Sequence, residues 1–297
     1  MTYRIKPLLS LSFILVFLGS CELFNTEEQL PAWIEVNAFT IVDNPLLNEG
    51  NLNADIQDVW LTIDGERIGT YELPARIPVL KEGIHQVVVA PGIIVSGTSA
   101  LRDRYLYYDA DTFEMELTAD QTFVLDPITR YKNSTQLEVL LIEDFEDGDD
   151  RVSSTSASNA PFIRSADASF VKYGEGAGVM YLSDTVTNAT IRTNGSLQLP
   201  QNGSVFMEVD VYSDYWVQWG VYVNSRVSDA AMDVYIMKPT GETWKKQYIG
   251  LQSTIDEAYG YSYPESFYLY AKAIYSPDSI PTSGNVIIDN VKVLYVK

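Results

Sequence analysis

The chain has a single histidine, His85, and a single cysteine, Cys21. One histidine cannot build a zinc site on imidazoles, and without a free thiol no cysteine–histidine nucleophile pair forms. The string Gly-x-Ser-x-Gly, which an esterase nucleophile elbow needs, is absent. His85 stands beside Val87 and Val89 in a strand-like run and reads as structural. Carboxylate pairs, the requirement for glycoside hydrolysis, are plentiful. They crowd one turn, however: Glu143, Asp144, Glu146, Asp147, Asp149 and Asp150. Acids clustered there read as a cation site or a solvated loop rather than an acid/base pair, since carboxylates are the ligands calcium prefers. The sequence therefore predicts a protein that is not an enzyme.

Aromatic residues are the best pointer to a ligand. The chain has 20 tyrosines and 5 tryptophans, and many fall in its second half. Sugar rings stack their C–H faces on such rings, while their hydroxyls need Asn, Gln or Asp nearby. The run Tyr215 to Tyr222 divides by parity, because successive strand side chains point to opposite faces. Tyr215, Val217, Trp219 and Val221 form a core-like face. Trp216, Gln218, Gly220 and Tyr222 form a mixed face that reads as exposed or ligand-lining. The Tyr-rich run Ala258 to Pro264 is expected to be a loop, with Tyr261 at the rim of a site. Trp216, Gln218, Tyr222 and Tyr261 are thus the candidate ligand-binding residues. The alternative, that tyrosines simply cover a sandwich surface, stays open.

The N-terminus carries an address. Arg4 and Lys6 precede an apolar run from Leu8 to Leu18, followed by Gly19, Ser20 and Cys21. That is the order of a secretory signal peptide, and the run is too short to span a bilayer stably. Leu18-Gly19-Ser20-Cys21 resembles a bacterial lipobox, in which the cysteine is acylated and becomes the mature N-terminus. The resemblance implies a signal peptide over residues 1–20, a lipid on Cys21, and a tether over 21–31. Glu22, Glu27 and Glu28 loosely resemble the acidic surface-export signal of Bacteroidota lipoproteins, so the expected location is the outer membrane, lipid-anchored, at the cell surface. The formal charge is −20, from 40 acidic and 20 basic residues. Such a chain does not suit nucleic acid or an anionic lipid surface, both of which need basic patches. With Cys21 acylated, no internal disulfide is possible.

The elements that must position these residues read as strands. Val59–Ile63 and Glu66–Tyr71 flank Asp64-Gly65, a two-residue hairpin signal. Further strands are expected at Trp33–Phe39, His85–Val89, Tyr105–Tyr108, Phe113–Leu117 and Thr122–Leu125. The run from Ile63 to Ile93 resembles PEGA-type β-sandwich modules through Asp64, Gly65, Pro78, Gly83 and His85. A polar stretch, Asn133 to Gln136, marks a boundary. Residues 151–160 read as a Ser-rich loop. Strands then fit 179–182, 189–192, 205–212, 216–223, 232–237, 244–249, 267–273 and 285–296. This half resembles carbohydrate-binding-type jelly rolls, through DFEDG, YGEGAGVMYL, VFMEVDVYSD and NVIIDNVKVLYV. The expected fold is all-β: an Ig/PEGA-like sandwich over 32–133, then a jelly roll over 137–297.

The jelly-roll resemblance implies a structural calcium ion held where the first and last strands meet. Its ligands would be Glu146 and Asp289, with Asp144 beside them. The whole chain resembles uncharacterised surface lipoproteins of Bacteroidota. The expected role is an accessory or scaffolding subunit of a cell-envelope protein complex. The alternative is a surface lipoprotein that captures glycan on its jelly roll.

Overall fold

A computed structural model describes residues 28–275 and 282–297. The signal segment, Cys21, Glu22 and Glu27 lie outside the described residues.

The first half is a small sandwich. Its strands are β1 (Ala32–Val36), β2 (Thr40–Ile41), β3 (Asp58–Ile63), β4 (Glu66–Glu72), β5 (Ala75–Val79), β6 (Gly83–Ile94), β7 (Arg102–Arg104), β8 (Asp111–Leu117), β9 (Thr122–Leu125) and β10 (Ile128–Thr129). One sheet runs β5-β1-β9, with β1 and β9 parallel. The other runs β4-β3-β6-β7, with β8 also on β6, and β2 pairs with β10. Asp64 and Gly65 turn the β3–β4 hairpin with φ of 51° and 80°, the double positive φ that a type I′ turn requires. His85 serves this turn. Its Nδ1 lies 2.6 Å from an Asp64 carboxylate oxygen, and that hydrogen bond is the main reason the Asp64 carboxyl sits below its usual range. Alternation puts Ile34, Val36, Val59, Leu61, Ile63, Val87 and Val89 into one core.

The second half is a larger two-sheet sandwich. Its elements are β11 (Leu137–Glu143), β12 (Val152–Ser154), β13 (Phe162–Ser165), β14 (Ala177–Ser183), β15 (Asn188–Thr193), β16 (Ser204–Ser213), β17 (Val217–Ser225), β18 (Ala230–Met237), β19 (Lys245–Gly250), α1 (Gln252–Tyr261), β20 (Pro264–Ile274) and β21 (Ser283–Val296). Sheet I has the order β13-β14-β21-β16-β19, with β11 also on β21. Sheet II has the order β12-β15-β20-β17-β18. The inner faces interdigitate through residues such as Val209, Val211, Val217, Trp219, Val221, Leu269 and Val293. Burying each such side chain contributes roughly 1.5–3 kcal/mol.

Three local expectations are corrected. Tyr105–Tyr108 is not a strand but a turn following β7. Residues 151–160 are not all loop, since Val152–Ser154 pairs with β15. The Ala258–Pro264 run is not a loop through its length: its first half closes α1 and Pro264 opens β20. The helix forms because Ile255, Ala258 and Tyr259 recur at i, i+3 and i+4 and pack on the sandwich core.

The two sandwiches meet across the outer face of sheet I. Ile93, Tyr105, Tyr107, Tyr108 and Tyr131 from the first pack on Leu137, Tyr248 and Leu294 of the second. At the centre is Glu208 of β16, fully buried. It accepts hydrogen bonds from Tyr105 Oη (2.5 Å) and Tyr131 Oη (2.8 Å), and Lys246 Nζ lies 3.2 Å away. Lys292, also buried, donates to Tyr131 Oη at 3.3 Å and to the backbone carbonyl of Asn51. Burial alone would push the Glu208 carboxyl up. The two lysines and two tyrosine hydroxyls more than offset it, holding that group below its ordinary value.

Candidate functional site

With the β11, β21, β16 and β19 part of sheet I covered by the first sandwich, the outer face of sheet II is the larger open face of the jelly roll. Strand alternation builds it. β15 presents Asn188, Thr190 and Arg192; β20 presents Tyr268, Tyr270 and Lys272; β17 presents Gln218 and Tyr222, all half-buried between buried neighbours, with Gly220 itself buried between the two. Register arranges these in tiers. Thr190 opposes Lys272, which opposes Gln218; Arg192 opposes Tyr270, which opposes Gly220; Tyr268 opposes Tyr222. A bulge opposite Trp219 and Gly220 brings Asp233 of β18 to the Tyr270 tier.

Gly220 matters here. A Cβ at that position would stand 2.5 Å from the Tyr270 hydroxyl and 2.5 Å from the Met232 carbonyl. Glycine therefore lets the Tyr270 ring lie across the sheet, where its hydroxyl donates to Asp233. Burial, then that carboxylate, raises the Tyr270 hydroxyl above its ordinary range. Arg192 lies 4.4 Å over the Tyr268 ring and 5.5 Å from that of Tyr222. Tyr222 donates to Asp229 at 3.3 Å. The result is a groove of about 650 Å³ lined by Arg192, Gln218, Tyr222, Asp233, Tyr270 and Lys272, among others. Four strand steps, from Gln218 to Tyr222, span about 13 Å, room for a short run of sugar rings.

The candidate residues fall apart in space. Gln218 and Tyr222 line the groove together. Trp216 is 54% exposed at the far end of the same face, outside the groove lining, and Tyr261 is 78% exposed at the end of α1, also outside it. Arg192, Asp233 and Lys272 escaped the sequence reading, as did the role of Tyr270. Their signal was the same parity rule applied to β15 and β20, where polar or aromatic residues alternate with Ala189, Ile191, Leu269 and Ala271. A second cleft of about 660 Å³ lies between the two sandwiches, lined by Asp55, Thr98, Tyr235, Lys238 and Lys245 among others. It has only one ring, so it lacks the stacking surface of the groove.

The acidic turn lies elsewhere, at the junction of β11 and β21. Glu146 accepts backbone N–H groups of Glu175 (2.8 Å) and Gly176 (3.2 Å). Asp144 accepts the N–H of Glu146 at 3.3 Å. Asp289 is buried; one oxygen accepts the Asn290 N–H at 2.7 Å, and the other has no partner. Burial, with repulsion from Asp210, Glu146 and Asp144, pushes its carboxyl up to about 8. Among the described residues no three acid, histidine or cysteine side chains gather at metal-binding spacing. The single observation here of the kind a cation ligand would leave is the unpartnered buried oxygen of Asp289, since hard cations take carboxylate oxygens.

No protein-family model matches the chain, and no curated protein matches it. Among solved structures it is similar to the K1 cleaved adhesin domain of Lys-gingipain from Porphyromonas gingivalis W83, at 16% identity and a TM-score of 0.37, over 52% of this chain and 98% of that one. It is similar to the N-terminal CBM22-1-CBM22-2 tandem domain of Paenibacillus barcinonensis Xyn10C at 12% identity and a TM-score of 0.38, over 83% of this chain and 75% of that one. A carbohydrate-binding module of the β-sandwich superfamily aligns at 11% identity and a TM-score of 0.36, over 82% of this chain and 86% of that one.

Proposed function

We propose that this chain is a non-catalytic glycan-binding lipoprotein of the outer membrane, tethered through Cys21, which takes saccharide on the outer face of sheet II. The observation that carries the reading is the groove itself. The β11, β21, β16 and β19 part of one face is covered by the first sandwich, and the other face is left open with rings, an amide and hydroxyls in reach of one another. A flat apolar face would suit a protein partner instead. In this reading Tyr222 and Tyr270 supply ring surface, and Gln218, Asn188 and Asp233 bond sugar hydroxyls. The first sandwich serves as a rigid spacer between tether and jelly roll. Glu146 and Asp289, with Asp144 nearby, would hold a calcium ion that ties the two ends of the domain together. The test is affinity gel electrophoresis of the full mature chain against a panel of polysaccharides. Retardation that disappears in Gln218→Ala/Tyr222→Ala supports the proposal; no retardation by any polysaccharide rejects it.

The accessory-subunit reading has one observation in its favour. Val217 pairs with Ala273 and with Met237, so the exposed Trp216, Ile274 and Ile236 gather at one end of the open face. Crosslinking in outer membranes followed by mass spectrometry tests it: a protein crosslinked through residue 216 would favour that role.

A further inference from the structure

The charges in and beside the groove are distributed unevenly. Asp233 and Asp229 lie on the β18 side, and both are engaged by tyrosine hydroxyls. Arg192 and Lys272 lie on the β15–β20 side. Among the described residues neither has a carboxylate within ion-pair distance, although acids outnumber bases two to one in this chain. Arg192 rests on the Tyr268 and Tyr222 rings instead. Arg192 opposes Tyr270, and Lys272 follows two residues later on the same strand. The two are therefore diagonal neighbours on one face, about 7–8 Å apart at the backbone, within joint reach of one small anion.

Two like charges at diagonal positions repel each other, and among the described residues no ion pair neutralises them. Both side chains line the groove and are half-buried. We propose that the groove selects an acidic saccharide, whose carboxylate or sulfate group is held between Arg192 and Lys272. This rests on the glycan-binding reading and names its ligand class. The ring of the charged sugar would lie over Tyr270, between the cations on one side and Asp233 on the other. That side difference fixes orientation: the anionic substituent points towards β15 and the hydroxyls towards β18. Arg is suited to this task, since its planar fork meets an oxyanion with two parallel hydrogen bonds and stacks on a ring at the same time. The chain's strong overall negative charge does not prevent contact. At physiological salt, repulsion from carboxylates beyond about 8 Å is largely screened, while the contact pair is not. The same charge favours a short acidic segment over a long polyanion.

The experiment is isothermal calorimetry of the full mature chain at physiological salt with three probes. They are tetragalacturonate, the same tetrasaccharide after reduction of its carboxyls, and a sulfated galactan oligosaccharide. The expected result is that at least one anionic probe binds and the neutral one binds roughly tenfold more weakly, the equivalent of about one charge-assisted hydrogen bond. Whether carboxylate or sulfate binds better identifies the source of the anion. Arg192→Gln and Lys272→Gln should each remove the preference while leaving weak neutral binding, and neither is needed for the core. Equal binding of neutral and anionic probes by the wild-type chain overturns the acidic preference and leaves the glycan-binding reading standing. Preference that persists in Arg192→Gln/Lys272→Gln also overturns it. Binding to none of these probes, with retardation by a neutral polysaccharide in gels, rejects the acidic ligand alone; no binding in either assay rejects both.

Discussion

The two outer faces of the jelly roll use tyrosine in opposite ways. On sheet I, Tyr248 packs on Tyr105 of the first sandwich with ring centroids 4.9 Å apart, Tyr108 packs on both Tyr105 and Tyr131 at 4.8 Å, and the hydroxyls point inward to Glu208 or to one another. On sheet II, Tyr222, Tyr268 and Tyr270 stay half-buried, flanked by Arg192 and Asp233, with solvent above them. Ring count alone does not distinguish a packed face from a binding face. What does is where the polar groups find partners. On sheet I the tyrosine hydroxyls and the Glu208 carboxylate find partners within the chain; on sheet II Arg192, Lys272 and Gln218 are left for something else.

The largest expected effect tests the closed face. Glu208→Ala leaves buried Lys246 with only the more distant Asp210 carboxylate, 3.9 Å away, and removes the main counter-charge of buried Lys292. Removing one partner of a buried ion pair costs about 3–5 kcal/mol, so the full chain should unfold at markedly lower urea. Tyr222→Ala on the open face should stay within about 1 kcal/mol of wild type, as a partly exposed substitution away from the core. Equal losses in the two variants would erase the contrast.

Next is the cation. Binding to the folded state alone stabilises by about 2.7 kcal/mol at a hundredfold excess over the dissociation constant. Thermal unfolding in millimolar calcium should therefore exceed that in EDTA by several degrees. Glu146→Gln and Asp289→Asn should each abolish the gap. Identical melting of the wild-type chain in both buffers would remove calcium from the account.

A smaller effect concerns the groove itself. Truncating a central ring of a binding site typically costs about 1–2 kcal/mol or more, so Tyr270→Ala and Tyr222→Ala should weaken glycan binding tenfold or more. Trp216→Ala and Tyr261→Ala should change it little, because neither side chain lines the groove. A large loss in the Trp216 variant would extend the site to the apolar end of the face.

Much of this was legible in the chain. The Asp64-Gly65 turn, the all-β class and the parity of Tyr215 to Tyr222 follow from local chemistry, and the core half of that strand is buried as alternation demands. The partners of Gln218 and Tyr222 were not legible, since strand order in sheet II joins residues about 50 positions apart between β17 and β20 and about 80 between β15 and β20, and no local rule encodes which strands pair. Tyr105–Tyr108 was misread for a related reason. Its aromatic, strand-like composition serves a contact with another sandwich more than 100 residues away, and tertiary packing overrides propensity there. Helix α1 was missed because it is short and contains Gly260.

The smallest effect is in alkali, and it separates two terms of opposite sign on the closed face. Burial lowers the Lys292 ammonium to about 8 from its ordinary 10.5, with Glu208 pulling the other way. A group depressed on folding contributes stability above its unfolded value and loses it as pH falls through the folded one. Lys292 should therefore make the chain slightly more stable between pH 8 and about 10. Tyr105, Tyr108, Tyr131 and Tyr248 are raised well above their ordinary value of 10, first by burial and then by the charge of Glu208 or by neighbouring tyrosines. Groups raised on folding contribute stability below the unfolded value and lose it at higher pH, so these four should destabilise the chain above pH 10. Urea midpoints measured across pH 8–11.5 should rise slightly, then fall. Lys292→Met should flatten the first limb, and Tyr131→Phe should soften the second. Absorbance at tyrosinate wavelengths should show the buried hydroxyls ionising only as the chain unfolds. A smooth titration of every tyrosine near pH 10 in a chain that stays folded would mean that the closed face is open to water, and the contrast between the two faces would fail.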